Sequence, residues 1–221
     1  LSYLLKRYVF HESGTLVSGI IGGLYSSTAT ISVLARKSRK ASEQEATDYV
    51  AAMLLAVSMM FLRFMILILI FSREIFLSIY PYLLTMAVVA AIVAWFIHSR
   101  QKRPEDQPAE TEEDDSSNPL EFKVALIFAV LFVIFTFLTH YTLVYAGTGG
   151  LNLLSFVSGF SDITPFILNL LQNIGSVAAL IITACSMQAI ISNIMVNMFY
   201  ALFFAGKGSK LRPWILGGFG V

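Results

Sequence analysis

The sequence predicts an all-α fold, a polytopic bundle of transmembrane helices, and three observations lead to this prediction. Of the 221 residues, 57% are hydrophobic and 13% are charged, and the mean hydropathy is +0.74. Soluble domains carry about 25% charged residues. Long apolar runs recur along the chain, and only Arg63 and Asp162, among 15 Lys and Arg and 14 Asp and Glu residues, lie inside them. The chain is therefore predicted to lie in a lipid bilayer.

Six apolar runs are long enough to cross ~30 Å of hydrocarbon, which takes about 20 helical residues. They are Gly14–Ala35, Tyr49–Phe71, Ile75–Ile97, Val124–Gly147, Leu151–Ile174 and Ser176–Ala205. Barrel strands are about 9–11 residues long and alternate polar with apolar residues, which these runs do not. Partial spans are expected at both ends, so the chain is interpreted as a fragment of a longer membrane protein.

The domain organisation follows from one change in composition. Residues 100–117 are rich in acidic residues and contain no apolar side chain larger than alanine, so they are predicted to form a disordered cytoplasmic linker. The linker separates a first helical repeat, residues 1–99, from a second, residues 118–221. The outermost helix of each repeat is truncated at the end of the chain.

An internal repeat is indicated by a shift of the sequence by 136 residues. The shift aligns Gly23 with Gly159, Thr28 with Thr164, Ile31 with Ile167, Leu34 with Leu170, and Ser26 with Asp162. The two copies lie four spans apart in the six-span prediction. An even number of crossings predicts parallel rather than inverted repeats.

Orientation is predicted from the basic residues in short loops, which favour the cytoplasm. With the loop after the first span inside, eight basic residues lie inside and six outside. The inside set is Arg36, Lys37, Arg39, Lys40, Arg100, Lys102, Arg103 and Lys123, and the outside set is Lys6, Arg7, Arg73, Lys207, Lys210 and Arg212. This is a modest bias.

Asp162 is the leading candidate for a binding residue, because charged groups at membrane depth are costly and usually functional. It lies mid-span between Gly159 and Pro165, which both weaken a helix. A broken helix there would expose backbone carbonyls and amides beside Asp162 and Thr164, as in transporters that bind ions or polar solutes. Asp162 is also the only candidate acid for a metal ion, and whether a metal binds is left open.

The corresponding run in the first repeat carries hydroxyls at Ser26, Ser27 and Thr28, next to Gly22 and Gly23. Two interpretations stay open for it. Small residues let helices pack closely, and their hydroxyls bond the backbone of the same helix. Alternatively, the same hydroxyls also face a solute.

Arg63 lies too deep in its span to reach the membrane surface easily. The sequence predicts an Arg63–Asp162 ion pair, with a structural role and a binding or gating role both open. Asn193 and Asn197 belong to a polar stripe on the last full span, which is expected to face the bundle interior. They bond neighbouring helices or line a hydrated pathway.

The sequence lacks the motifs of several common enzyme classes. There is no HExxH, CxxC, Walker or GxSxG motif, so we expect no enzyme activity and no cofactor. A net charge of +1 gives no reason to expect nucleic acid as a partner. Cys185 is the single cysteine, which excludes an internal disulfide.

A family resemblance follows from five short motifs. The chain resembles a multi-spanning domain of unknown function, family four thousand and ten, that commonly follows an MgtC/SapB domain in bacterial membrane proteins. The motifs are Gly22–Ala29, Met60–Arg63, Asn118–Lys123, Gly159–Asp162 and Ser192–Asn193. The family often carries an acid where Thr164 stands and a lysine where Asn197 stands. The resemblance implies a bacterial inner-membrane protein, a link to magnesium or another cation, and an MgtC/SapB domain in the full-length chain.

These observations favour a secondary transporter or channel-like permease for a small cation or polar solute. Its site is expected between the Ser26–Thr28 and Asp162–Pro165 segments, with Arg63, Asn193 and Asn197 around it. One alternative is a membrane scaffold or regulator that transports nothing. A less favoured one is a membrane-embedded enzyme acting on a lipid-linked substrate. Homo-oligomer formation is left open.

Overall fold

The structure is a computed structural model of the 221-residue chain, and it describes residues 14–39, 41–99, 130, 133–142, 144–160, 162–175 and 177–204, with 215, 217 and 219. Six helices have both ends within these residues. They are α1 (Thr15–Ser38), α2 (Glu43–Phe71), α3 (Arg73–Ser99), α4 (Gly147–Ser158), α5 (Thr164–Gln172) and α6 (Ala179–Phe204). Residues 133–142 are also helical, and the described residues contain no strand beyond an isolated bridge between Ile174 and Val177. The all-α prediction is confirmed.

Judged by length and composition alone, four of these helices are candidates for crossing a membrane. They are Thr15–Ser38, Glu45–Phe71, Arg73–Ser99 and Ala179–Phe204. The predicted spans Tyr49–Phe71, Ile75–Ile97 and Ser176–Ala205 coincide with α2, α3 and α6. Six full spans are not confirmed, because the predicted span Leu151–Ile174 is divided between α4 and α5.

The described residues fall into two compact units, and both units take segments from distant parts of the chain. The first contains the described residues of Leu1–Phe64, Tyr82–Glu113 and Asn197–Val221. The second contains those of Met65–Pro81 and Asp114–Val196. The predicted linker, residues 100–117, and both terminal partial spans lie outside the described residues or almost entirely so. The predicted division into 1–99 and 118–221 stays a prediction.

In the first unit, α2 and α3 run antiparallel. Ser58 Oγ donates to the carbonyl of Ala87 at 2.9 Å, and His98 Nδ1 lies 2.8 Å from Asp48 Oδ1. Asp48 lies early in α2 and His98 late in α3, whereas Ser58 and Ala87 lie near the middle of the two helices, so the contact residues advance in opposite directions along the chain. The buried Ser58 hydroxyl thus finds a partner in the neighbouring helix, which avoids the cost of an unsatisfied polar group.

The start of α2 is fixed by a reciprocal cap. The Ser42 hydroxyl accepts a hydrogen bond from Glu45 N at 3.4 Å, and the Glu45 carboxylate accepts from Ser42 N at 2.9 Å. This is the capping box, in which a Ser and a Glu three residues later satisfy each other's backbone donors. Only four residues, 39–42, lie between the end of α1 and the start of α2.

In the second unit, α5 packs on the helix at residues 133–142. The rings of Phe135 and Phe166 lie 5.7 Å apart, and Asn169 Nδ2 donates to Thr136 Oγ1 at 2.8 Å. Phe166 is fully buried and Asn169 nearly so. The side of α5 that carries these residues therefore faces the core of the second unit.

Candidate functional site

Helix α1 is interrupted at Ser26. This residue has φ −155° and ψ 107°, an extended conformation inside an otherwise helical segment. A Cβ placed on Gly22 would meet the side chain of Thr30. Residues eight apart in a straight helix are separated by about 12 Å, so α1 bends sharply here and its two halves fold back on each other.

The order of contacts between α1 and α2 shows that the bend reverses the chain. A Cβ on Gly19 would overlap the backbone of Ala52, and one on Gly23 would overlap the backbone of Ala56. The contact residues advance together, so the first half of α1 runs parallel to α2. A straight α1 would end about 36 Å from its start, and the short connection to α2 covers at most about 17 Å. The second half of α1 therefore returns toward the start, and we call residues Thr15–Ser38 hairpin 1.

The hydroxyls at the bend of hairpin 1 bond the backbone freed by the interruption. Ser26 Oγ accepts from Ala29 N at 3.4 Å, at the start of the second half-helix. Thr30 Oγ1 donates to the Ser26 carbonyl and Ser32 Oγ to the Thr28 carbonyl, both at 2.8 Å. Ser27 is buried, whereas Ser26 and Thr28 are half-buried. Local bonding of this kind is one of the two interpretations that the sequence left open.

Arg63 binds the end of the first half-helix. Its Nη1 donates to the carbonyl of Tyr25 at 2.6 Å. Tyr25 is the last residue before the interruption, so its carbonyl lies at the negative end of a helix dipole, where a cation is favourable. The guanidinium thus stabilises the bend of hairpin 1, a contact that the sequence did not predict.

The second interruption separates α4 from α5. Helix α4 ends at Ser158, and α5 begins at Thr164 with Pro165 in its first turn. Asp162 Oδ1 accepts hydrogen bonds from Thr164 N at 2.9 Å and from Thr164 Oγ1 at 2.6 Å. The half-buried carboxylate therefore lies at the positive end of the α5 dipole, where an anion is favourable. The interruption predicted from Gly159 and Pro165 is present.

Contacts with α6 show that α4 and α5 also form a hairpin. Cys185 Sγ lies 3.5 Å from Asn152 Oδ1, and a Cβ on Gly159 would overlap Ser192. These contacts again advance together, so α4 runs parallel to α6. A straight continuation through α5 would end about 39 Å from the start of α4, and the connection to α6 spans at most about 24 Å. Helix α5 therefore reverses, and we call α4 and α5 hairpin 2.

Two side chains of α6 bind the carbonyls at the end of α4. Ser192 Oγ donates to the Phe156 carbonyl at 2.7 Å, and Asn193 Nδ2 donates to the Gly159 carbonyl at 3.0 Å. Both side chains are buried. Asn193 therefore bonds the end of a half-helix, as Arg63 does in hairpin 1, but without a charge.

Each bend packs beside the middle of a long neighbouring helix, α2 for hairpin 1 and α6 for hairpin 2. Hairpin 1 contacts α2 at Ala56 and Arg63, well inside the Glu45–Phe71 span. Hairpin 2 contacts α6 at Ser192 and Asn193, halfway along Ala179–Phe204. If α2 and α6 cross a bilayer, both interruptions lie close to its centre.

The predicted site residues are distributed over both units. Those in the first unit are Ser26, Ser27, Thr28, Arg63 and Asn197, and those in the second are Asp162, Thr164 and Asn193. Asn193, Asn197 and Ser186 are buried, as a polar stripe facing the interior requires. The Arg63–Asp162 ion pair and a common site would join the two units, and both stay predictions.

One polar pair was missed by the sequence analysis. The side chain of His98 is only 33% exposed, and its Nδ1 lies 2.8 Å from Asp48 Oδ1. The two residues are 50 positions apart, and no local pattern connects them. Their contact depends on the antiparallel pairing of α2 with α3.

The described residues contain no group of three or more His, Cys, Asp or Glu side chains that could hold a metal ion. A hard cation prefers six or more oxygen ligands. At Asp162 such ligands would have to come from hydroxyls, backbone carbonyls or water.

The four long apolar helices indicate an α-helical membrane protein. The chain belongs to the family of the domain of unknown function DUF4010, whose sequence profile matches residues 1–205. The predicted family is confirmed, and the predicted MgtC/SapB association stays a prediction. A similar chain is an uncharacterized protein of Aquifex aeolicus (strain VF5), 24% identical over 208 residues, which cover 91% of this chain and 87% of the relative. No solved structure matches this chain.

Proposed function

We propose that this protein is a secondary transporter or channel-like permease for a small cation or polar solute in the bacterial inner membrane. One observation carries the proposal: two apolar helices are each interrupted midway, and hydroxyl or carboxylate groups stand at both interruptions. Interrupted helices at membrane depth require protein burial or a water-filled cavity. Transporters commonly bind solutes and coupling ions at such half-helix ends.

The geometry of the two hairpins supports an internal repeat with the 136-residue shift. Helix α2 begins at Glu43 and α6 at Ala179, which differ by that shift. Gly23 packs on Ala56, and the equivalent Gly159 packs on the equivalent Ser192. Internal repeats that contain interrupted helices occur in many transporter folds.

The interruptions also correspond in detail. Ser26 and Asp162 are equivalent positions, and each accepts a hydrogen bond from the start of the half-helix that follows. The equivalent apolar residues that follow each interruption are buried in both copies, namely Ile31 and Leu34 in the first and Ile167 and Leu170 in the second. At the interruption, the second copy carries a negative charge that the first does not.

Asp162 is the proposed solute-binding carboxylate. It is half-buried, and its Oδ1 is already bonded to Thr164. A cation would be held by the carboxylate together with hydroxyl or carbonyl oxygens, since hard cations require several oxygen ligands. The link to magnesium and the MgtC/SapB domain also belong to this proposal, and both rest on the family resemblance. A homo-oligomer is compatible with the proposal and is not required by it.

Flux measurements with purified protein in liposomes test the proposal. Gradients of Na⁺, K⁺, Mg²⁺ or protons are imposed one at a time, and ion entry is followed with an enclosed indicator dye. Asp162→Asn retains the oxygen that accepts from Thr164 and removes the charge. We expect lost flux with only a small decrease of the melting temperature, since the helix-dipole contribution of the charge is small. Glu74→Gln, an exposed carboxylate at the start of α3, is the matched control and should retain full flux.

The scaffold alternative is favoured by one observation, the close packing of Gly19 and Gly23 on Ala52 and Ala56. Small residues serve close helix packing without any solute. Absence of flux for every ion tested, with Asp162→Asn lowering only the melting temperature, would favour the scaffold over the permease.

A further inference from the structure

We infer that hairpins 1 and 2 are re-entrant: each enters the membrane and leaves on the same side, so that the two repeats are inverted rather than parallel. The inference rests on the membrane location in the proposed function, and it does not require transport. It follows from the chain reversals at Ser26 and between α4 and α5, and from the lengths of the half-helices.

None of the half-helices is long enough to cross a bilayer. The first half of α1, Thr15 to Tyr25, has a length of about 16 Å at 1.5 Å per residue. Helix α4 has 12 residues and α5 has 9. These correspond to about 18 and 14 Å. The hydrocarbon core is about 30 Å thick, so each half-helix reaches only about midway before the chain returns.

The chain then crosses the membrane four times rather than six. The crossing elements are α2, α3, the predicted span that contains residues 133–142, and α6. Residues 39–42 and the chain before α1 lie on one side of the membrane. The α2–α3 connection lies on the other side, together with both ends of hairpin 2. The chain after Phe204 returns to the first side.

The distribution of basic residues supports this topology strongly. The chain has 15 Lys and Arg residues, of which Arg63 lies within a span. With two re-entrant hairpins, the five basic residues Lys6, Arg7, Lys207, Lys210 and Arg212 lie on the same side as the eight basic residues of the inside set. Thirteen basic residues then lie on one side and only Arg73 on the other, whereas six spans give eight against six. Cytoplasmic loops are enriched in Lys and Arg, so the first side is cytoplasmic.

The orientation of the repeats follows from the number of crossings between them. Three crossings, namely α2, α3 and the span containing residues 133–142, separate hairpin 1 from hairpin 2. Because three is odd, hairpin 1 is entered from the cytoplasmic side and hairpin 2 from the opposite side. Inverted-topology repeats built around interrupted helices occur in several families of secondary transporters. The parallel arrangement expected from the sequence assumed that both hairpins cross the membrane.

Cysteine labelling distinguishes the two topologies. Cys185 is the single cysteine and is buried, so Cys185→Ser provides a background without cysteine. Single substitutions Ala41→Cys, Ser72→Cys, Ser176→Cys and Ser209→Cys are then treated with a membrane-impermeant maleimide in intact spheroplasts and after permeabilisation. Ala41 and Ser72 have the same predicted side in both topologies and are the matched controls, with Ala41 inside and Ser72 outside.

Re-entrant hairpins predict that Ser176→Cys is labelled in intact spheroplasts as fully as Ser72→Cys. Ser209→Cys, like Ala41→Cys, should be labelled only after permeabilisation. The six-span topology predicts the reverse for Ser176 and Ser209, and that result would overturn the inference. Labelling of all four positions in intact spheroplasts would overturn both the inference and the membrane location. A protein with the expected labelling but no ion flux would refute transport alone.

Discussion

The two charges within the spans, Arg63 and Asp162, have roles that can be separated by removing each alone and both together. Arg63 donates to the Tyr25 carbonyl at 2.6 Å, and hydrogen bonds to charged groups contribute about 1.5–3 kcal/mol. Asp162 accepts from Thr164 N at 2.9 Å, and replacing an N-terminal capping residue with Ala costs about 0.5–2 kcal/mol. We expect Arg63→Ala and Asp162→Ala to lower the free energy of unfolding by about these amounts.

The original protein, the two single variants and the double variant form a double-mutant cycle. All four are unfolded by titrating SDS into mixed micelles. If each charge stabilises its own half-helix, the two losses add to within about 0.3–0.5 kcal/mol. The ion pair predicted from the sequence would instead make the double variant less destabilised than the sum. Arg73→Ala and Glu74→Ala, exposed charges at the start of α3, should change little. A coupling above about 1 kcal/mol would refute independent roles and establish the pair.

Two further predictions use the same titration. Gly23→Ala should lower the free energy of unfolding by about 1–3 kcal/mol through overpacking, because the added Cβ would overlap the backbone of Ala56. Gly149 has open space around it, so Gly149→Ala is the control and should not destabilise the protein. Equal stability of the two variants would contradict the close contact. Asn193→Asp should lose about 1–3 kcal/mol because a carboxylate cannot donate to the Gly159 carbonyl, and Asn193→Ala should lose a similar amount. An Asn193→Asp protein as stable as the original chain would show that this hydrogen bond contributes nothing.

The sequence predicted the helical class and the place of the interruption before α5, because both depend on local chemistry. Apolar length defines a span, and Gly159 with Pro165 weakens a helix wherever it lies. Asp162 and Arg63 stood out because charges within spans are rare. The hydrogen-bond partner of each charge was not predicted. Within the two units, Arg63 bonds the Tyr25 carbonyl and Asp162 bonds Thr164, contacts that the sequence did not predict. The ion pair between the two charges stays a prediction.

The sequence by itself determined that this chain is an apolar helical protein, that a helix is interrupted between Gly159 and Pro165, and which family the chain belongs to. Only the tertiary structure decided the direction of the chain after each break. A weak point in a helix does not specify the angle that follows, because that angle depends on contacts between residues more than thirty positions apart. Gly19 with Ala52 and Asn152 with Cys185 are such contacts. They convert two apparent spans into hairpins, which changes the predicted membrane side of five basic residues.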